Sequence, residues 1–549
     1  MKARSNRWQF ASRRGMSSGM SLGLSIVAIA GSALAAPPPP YVVGPAVQAN
    51  PTGILWKECA VTSNYMNDSE VVVCAIAPGG VATAVSLNAG ASFISSAMVL
   101  GAGDPSLTNV PGSGRIWLCV KASADTFVTY KEANETQVWA TPFSVGNAYD
   151  KPWIAVGPKA GDPGTLRFYS GYLRRHTSTC TGNYASFANW FAISDDPDQG
   201  SSAWTVTKAS PVGGVPCDYS GWGTMPVVLD DGRVVVVTGD AINLEDNGKK
   251  PYVYRSIDNG TTWLPEGGQG IRIAPQQSIQ AIQVGYDGAV ADVPKKIDRR
   301  NCAPTIAVDR TRTPNWVYVA FYARAVPGDE TQDLNTDLYI CRSTDGGASF
   351  DAPVAITDSM LGLVAQTHGP DQFVPGLAVD CTGSLVVTFY DNRNDSDLSP
   401  GEPYLGEMYD VYLARITNFG LANMAISQVR LTPQTFPLAD LPTFDYLGDY
   451  QTISPGGATA KCLYAAYIAP AFDSQTQTWS VPNCFVRKIT IGPCLADLNL
   501  NSIADPGDFD VFVDAFLAED LQADINENLM IDEDDYESFV ESYDALEHL

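Results

Sequence analysis

One short frame is written three times in this chain: RSIDNGTTW at 255–263, RSTDGGASF at 342–350 and SLNAGASF at 86–93. Aligned, Ser256, Asp258, Gly260, Thr262 and Trp263 correspond to Ser343, Asp345, Gly347, Ser349 and Phe350, and to Ser86, Asn88, Gly90, Ser92 and Phe93. Each position has a physical use. The Asp or Asn side chain accepts hydrogen bonds from the turn's own amides, Gly permits positive φ, and the aromatic returns the chain to a buried surface. A fourth, interrupted copy runs from Ser194 and Asp196 to Trp204. Between the turns lie strand-turn-strand runs, clearest in APTIAVDRTRTPNWVYVAFYAR (303–324) and VPGLAVDCTGSLVVTFYDNR (374–393), with related segments near Pro152, Pro226 and Gln451. Counted from Trp56, seven such units follow at spacings of about 45 to 70 residues, the range of propeller blades and solenoids. Repeats made only of strands favour a propeller, because radial blades leave few unprotected sheet edges. The expectation is an all-β propeller of six or seven blades, seven by count, over residues 56–492.

These frames resemble the Asp-box (BNR) repeats of sialidases and related propellers. In such proteins the box lies between the third and fourth strands of a blade, on the face away from the central pocket, so the resemblance gives the frame a structural role. Strand alternation then puts the second-strand exits and the loops entering each first strand on the opposite face. The exits supply Arg174, Arg175 and His176, then Arg324, then Asp391 and Arg393. The entering loops supply Asp150 and Lys151, Asp218, Arg299 and Arg300, Asp371, and Asp445, Asp449 and Tyr450.

Arginine forks suit a carboxylate, and acids with a tyrosine suit glycoside chemistry. The repeat puts Arg174, Arg324 and Arg393 in equivalent places on three blades as candidates for substrate binding, with Asp391, Asp449, Tyr450 and Asp150 as candidates for catalysis. The arginine triad and tyrosine-acid pair that the resemblance implies are not placed residue by residue. The family's Phe/Tyr-Arg-Ile-Pro motif is absent, and Arg115 in GRIW does not replace it. Each candidate also has a plainer reading: Asp391 with Arg393 as a loop-ordering ion pair, Asp449 and Tyr450 as a strand cap and core ring, Asp150 with Lys151 as a solvated strand entry.

The chain has 549 residues and a net charge of −26, which would repel a polyanion and sets nucleic acid aside as a partner. Lys2, Arg4, Arg7, Arg13 and Arg14, an apolar run from Leu22 to Ala30 and Ala33-Leu34-Ala35 read as an export signal over 1–35, followed by a Pro-rich linker and entry over 36–55. Ser12-Arg13-Arg14 raises twin-arginine export, though the residues after it fit that signal poorly. No stretch reaches the roughly 20 apolar residues of a membrane span. The expected location is secreted or at the cell surface. Eleven cysteines in an exported chain imply disulfides, with Cys59–Cys74 and Cys462–Cys484 as hairpin-bracketing pairs.

After Lys488 there is no Lys or Arg, and a second domain is expected over 494–549. DLNLNSIADPGD (497–508) and DINENLMIDEDD (524–535) carry oxygen ligands at loop positions 1, 3, 5, 9 and 12, a spacing that lets one loop wrap a hard cation. The ligands are Asp497, Asn499, Asn501, Asp505 and Asp508, then Asp524, Asn526, Asn528, Asp532 and Asp535, with carbonyls of Ile503 and Met530 at the seventh position. Calcium is the expected ion. Each loop leads into an amphipathic run, Phe509, Phe512, Val513, Phe516 and then Tyr536, Phe539, Val540, Tyr543. The duplicated loop and helix resembles a dockerin type I module, a small helical EF-hand-like domain, which implies a cohesin-like partner. Position 6, normally Gly, is Ser502 and Leu529 here, which weakens the second site above all. Two functions stand: a sialidase-like glycoside hydrolase acting on carbohydrate or glycoprotein at the propeller mouth, or a non-catalytic propeller that binds glycan or protein in an extracellular assembly.

Overall fold

In the computed structural model the described residues are 41–492, except 149, 176–186, 210–220, 241–250, 265–270, 273–303, 325–335, 357–359, 362–369, 396–407, 438–446 and 458–460, together with 506–518, 523, 531, 535–537, 539 and 540. The expected export signal, and Arg299, Arg300, Asp218, His176 and Asp445, lie outside them. The described residues form seven antiparallel sheets, each with four principal strands. The innermost strands are Lys57–Asn64, Ala102–Asn109, Asp150–Lys159, Gly221–Val228, Thr305–Asp309, Gln372–Val379 and Thr452–Pro455. Each neighbours the next, and the last returns to the first, so the sheets close a ring of seven blades.

Blade 7 joins the two ends of this ring. Its inner three strands are Thr452–Pro455, Cys462–Asp473 and Thr478–Ile491, and its outer strand is Tyr41–Val43, paired antiparallel from Tyr41 opposite Ile491 to Val43 opposite Ile489. Residues from the stretch expected to be linker thus complete a sheet begun more than 400 residues later. The Asn50 amide adds a bond to Asn483 Oδ1 at 2.9 Å, and its oxygen accepts the Cys484 N–H at 2.9 Å.

A blade is covered on both faces by its neighbours, so its central strands read as unbroken apolar runs. Val71 to Ala75, Val234 to Val237 and Leu385 to Val387 are buried at every position. Each such valine contributes roughly 1.5–3 kcal/mol on burial.

The repeated frame sits between the third and fourth strands of blades 1, 4 and 5. In all three turns the serine hydroxyl accepts the glycine N–H, Gly90 to Ser86 at 2.9 Å, Gly260 to Ser256 at 2.8 Å and Gly347 to Ser343 at 2.8 Å. The same hydroxyl donates to Asn88, Asp258 or Asp345. The glycines have φ of 82°, 81° and 82°, and they face the preceding blade: an added Cβ would lie 2.3 Å from Ile193 at Gly260 and 2.8 Å from Val235 at Gly347. The frame therefore both turns the chain and seats one blade on the next. In the interrupted copy, two short 3-10 turns fill the gap, and Trp204 is buried with its indole N–H on the Pro197 carbonyl at 3.3 Å.

The hairpin disulfides do not form. Cys59 and Cys74 carry free thiols, because Cys74 pairs with Ala60 and leaves Cys59 one residue out of step. Cys462 stands opposite Thr490 and Cys484 opposite Ile468, six residues apart along the hairpin. The Cys484 thiol instead meets that of Cys59 across the seam between blades 7 and 1. Cys381 is disulfide-bonded.

In the C-terminal segment, helix α1 (Pro506–Leu517) carries Phe512 on its buried side. Phe512 stacks on Phe539 with centroids 4.4 Å apart and planes at 11°. The flanking contacts are reciprocal: Phe509 to Phe539 at 6.1 Å and Phe512 to Tyr536 at 6.2 Å. Phe512 and Phe539, each with the aromatic three residues before it, thus pack face to face. Among the described residues no helix is long and apolar enough to cross a membrane.

Candidate functional site

The inner strands begin with a shared irregularity. In blades 1, 2, 3, 4 and 6 the register slips by the same step, between Lys57 and Ala60, Gly103 and Ser106, Asp150 and Trp153, Trp222 and Met225, and Phe373 and Gly376. The first residue of each slip has positive φ: Glu58 at 49°, Asp104 at 48°, Lys151 at 48°, Gly223 at 73° and Val374 at 50°. Left-handed backbone at residues other than Gly costs free energy and collects at functional sites. It also re-aims a side chain, as bulges do. On blades 1, 2 and 3 the re-aimed residue is charged, and Asp449 joins them from the entry to blade 7.

The four meet around one ammonium. Lys151 Nζ lies 2.6 Å from Asp449 Oδ2, 3.0 Å from Asp104 Oδ1 and 3.2 Å from Glu58 Oε1. Lys151, Glu58 and Asp449 are buried, while the Asp104 side chain keeps 14% of its surface exposed. Gly448, at φ 121°, packs so closely that a Cβ there would lie 2.7 Å from the Glu58 backbone nitrogen. Asp104 accepts from Lys151 Nζ at 3.0 Å, and Asp150 and Glu58 lie close enough to share protons with it. Burial pushes its carboxyl up, but the Lys151 charge and these three neighbours outweigh burial and hold it well below the usual carboxylate range. The neighbours move the other way. Burial, then the Asp104 charge, raises Asp150 to about 7. Burial also pushes Glu58 well above its ordinary value despite Lys151. For Lys151, burial alone would favour the neutral amine, but Glu58, Asp449, Asp104 and Asp150 together keep it protonated. The cluster thus contains an ionised carboxylate beside a carboxylic acid that exchanges its proton near neutrality.

Three of the four candidate catalytic residues, Asp150, Asp449 and Tyr450, lie in this neighbourhood. Tyr450 forms its wall: the hydroxyl donates to the Pro105 carbonyl at 2.8 Å, the ring meets Trp153 edge-on at 5.2 Å, and Lys151 Nζ lies 5.4 Å from its centroid. Burial pushes that phenol well above its ordinary value. Asp391 belongs to a separate ion pair in blade 6, where Arg393 binds its carboxylate through Nη2 and its backbone N–H at 2.7 Å. The Arg393 guanidinium lies 4.0 Å from the Tyr412 ring centroid and donates to Gln428 at 2.8 Å. Arg174 stacks over Trp190 at 4.8 Å, and the Arg324 backbone pairs with Thr336. The described residues show no arginine triad around one pocket.

Glu58 and Asp104 were missed in the sequence. A signal existed: Asp104-Pro105, Lys151-Pro152 and Val374-Pro375 set the same pre-proline position at the start of three inner strands. In the C-terminal segment the position-12 residues, Asp508 and Asp535, are fully buried, while the other eight expected ligands lie outside the described residues.

No protein-family model matches this chain, and no curated protein does. Among solved structures, it is similar to a protein of unknown function from Dyadobacter fermentans, at 12% identity over 82% of this chain and 98% of that one, TM-score 0.40. It is also similar to Trypanosoma rangeli sialidase, at 11% identity over 86% of this chain and 60% of that one, TM-score 0.34. A Penicillium chrysogenum α-L-arabinanase complexed with arabinobiose gives 12% identity over 71% and 94%, TM-score 0.36. Likenesses this distant leave function to be read from the residues of the site.

Proposed function

We propose that the propeller is a glycan-active hydrolase with its proton chemistry at Asp150 and Asp104, exported, and joined to other extracellular components through its C-terminal module. What supports this reading is the convergence of Glu58, Asp104 and Asp449 on Lys151 Nζ beside Asp150 at the inner-strand entries, where Asp104 is held ionised and Asp150 is raised to about 7. Such pairs separate the acid and base roles that glycoside hydrolysis needs. Asp150 gives its proton to the leaving oxygen, Asp104 holds that proton in place beforehand, and Lys151 keeps Asp104 ionised. Asp449 and Glu58 complete the shell around Lys151. A tyrosine nucleophile with an arginine clamp, as in sialidases, is not part of this proposal, because the Tyr450 hydroxyl is hydrogen-bonded to a carbonyl and Arg393 is engaged by Asp391.

Turnover of chromogenic glycosides by the full, calcium-loaded protein tests the reading. Asp150→Asn is expected to lower kcat by about 10²–10⁴-fold. The wild-type rate should fall as pH rises through about 7, where Asp150 loses its proton. Asp104→Asn should move that falling limb toward acid, since the Asp104 charge helps to raise Asp150. Glycan binding without turnover in every variant would instead make the mouth a binding site, the second reading of this propeller.

For the C-terminal module we propose two calcium ions and a protein partner, cohesin-like by resemblance to dockerins. Asp508 and Asp535 are fully buried carboxylates placed alike in the two repeats, which fits closure of an oxygen cage around a hard cation at each. Calcium would then supply part of the folding energy of a unit too small to be stable alone. Chelation of the full protein should open residues 494–549 to protease while the propeller stays intact. Equal resistance with and without calcium would count against this assignment.

A further inference from the structure

Away from the mouth, a second charged group lies sealed between blades 1 and 2. Lys131 ends the third strand of blade 2 (Asp125–Lys131), Glu70 lies in the second strand of blade 1 (Asn67–Ala77), and Asn64 ends the inner strand of blade 1. All three are at most 1% exposed. Glu70 bridges the other two, accepting from Lys131 Nζ through Oε1 and from Asn64 Nδ2 through Oε2 at 2.5 Å. The Asn64 carbonyl oxygen accepts the Met66 N–H at 2.9 Å, and its amide nitrogen also donates to the Gly114 carbonyl at 3.1 Å. Gly114 closes the pocket: a Cβ there would lie 2.6 Å from Ala133 and 3.2 Å from Asn64. Asn134 N–H and the Glu132 carbonyl complete the shell, bonded to Glu70 and Lys131 at 3.0 and 2.9 Å.

This set has the parts of an acyl-transfer site: an amine nucleophile, a carboxylate in contact with it, a carboxamide on the same carboxylate, and an N–H donor on the carbonyl oxygen where negative charge would develop. We propose that Asn64 and Lys131 condense into an intramolecular amide that ties blade 1 to blade 2, with Glu70 as proton carrier. Glu70 takes a proton from the Lys131 ammonium along the hydrogen bond already formed. The freed amine attacks Asn64 Cγ, and the Met66 N–H holds the resulting oxyanion. The intermediate collapses as the bond from Cγ to Nδ2 breaks: the proton carried by Glu70 passes to the leaving nitrogen, which departs as ammonia, and the attacking nitrogen returns its surplus proton to Glu70, which ends as the neutral acid. One C–N bond forms, one breaks, and one ammonia leaves, so no outside reactant is needed. Exclusion of water favours this transfer over hydrolysis and removes the cost of keeping two opposite charges buried.

Tandem mass spectrometry of the folded, reduced, full protein decides the matter. The expected result is a branched peptide joining Asn64 to Lys131, lighter by one ammonia than its two parts, absent from Lys131→Arg. Glu70→Gln should show the unlinked peptides at full mass. Asn64→Asp, if it links, should lose water instead of ammonia. Unlinked wild-type peptides with intact Asn64 and Lys131 would overturn the proposal, as would a water-loss link from Lys131 to Glu70 itself. The wild-type measurement is decisive even if a variant fails to fold.

Discussion

Replacing Lys151 by Ala is expected to destabilise the propeller by about 3–5 kcal/mol at pH 7, the cost of leaving a buried charge without its partner. For a domain of this size that corresponds to roughly 3–5 °C in Tm. Two opposite effects compete at this residue. Desolvating the ammonium is unfavourable, but the contacts to Asp449, Asp104 and Glu58, at 2.6, 3.0 and 3.2 Å, hold three carboxyls from three blades on one point. Removal of the ammonium leaves those carboxyls facing one another in a site shielded from water.

The defect should depend on pH with a definite sign. Asp104 is held below its unfolded value in the native protein, so its interaction with Lys151 stabilises fully above about pH 4 and fades as pH falls below that toward the native value. The gap between wild type and Lys151→Ala is therefore largest near neutrality and narrows in acid. Adding Asp104→Asn to Lys151→Ala should recover part of the loss, because the unpaired charge goes with it. Equal melting of Lys151→Ala and wild type at pH 7 would mean that the ring of inner strands does not rely on this cluster. Asp150 bears on stability in the opposite direction. Its carboxyl is raised in the fold, so it favours the folded state below the unfolded value and that contribution is lost as pH rises through about 7. Strain of this kind at the residue proposed to do the chemistry is a common price of function.

The propeller was legible because its signals are local and repeated. Val71 to Ala75, Val234 to Val237 and Leu385 to Val387 read as strands buried on both faces, and the three frames mark equivalent turns whose hydrogen bonds close within five residues. The mouth was less legible for two reasons. Side-chain direction there depends on a bulge in which Glu58, Asp104, Lys151 and Val374 take left-handed backbone, and three of them precede proline, a position normally held extended. Residue type alone gives no warning of that. The second reason is competition: Asp391 and Arg393 reach the right end of blade 6, but they bind each other two residues apart before any distant group can engage them. The blade-closing strand Tyr41–Val43 was hidden for a related reason. Its partners Ile489–Ile491 lie at the far end of the chain, and nothing within a three-residue segment announces them.

In the C-terminal module, Phe512→Ala is expected to remove the folded state of helix α1 even with calcium present. Phe512 and Phe539 are both fully buried, stack at 4.4 Å, and each touches the aromatic that precedes the other by three residues. Truncating a buried Phe costs about 3–5 kcal/mol, as much as a core this small can supply in total. If ion binding and folding are coupled there as proposed, the same loss should weaken calcium affinity by roughly 100-fold or more, at about 1.4 kcal/mol per tenfold. Hydrogen exchange on the full protein separates the outcomes: peptides over 506–517 should lose protection while those of the seven blades keep theirs. Phe539→Ala should do the same damage, since the reciprocal contacts make the two rings equivalent. Retained protection in Phe512→Ala would show that the helices are held by their loops rather than by the stack, and would move the source of the module's stability from its aromatic face to its ions.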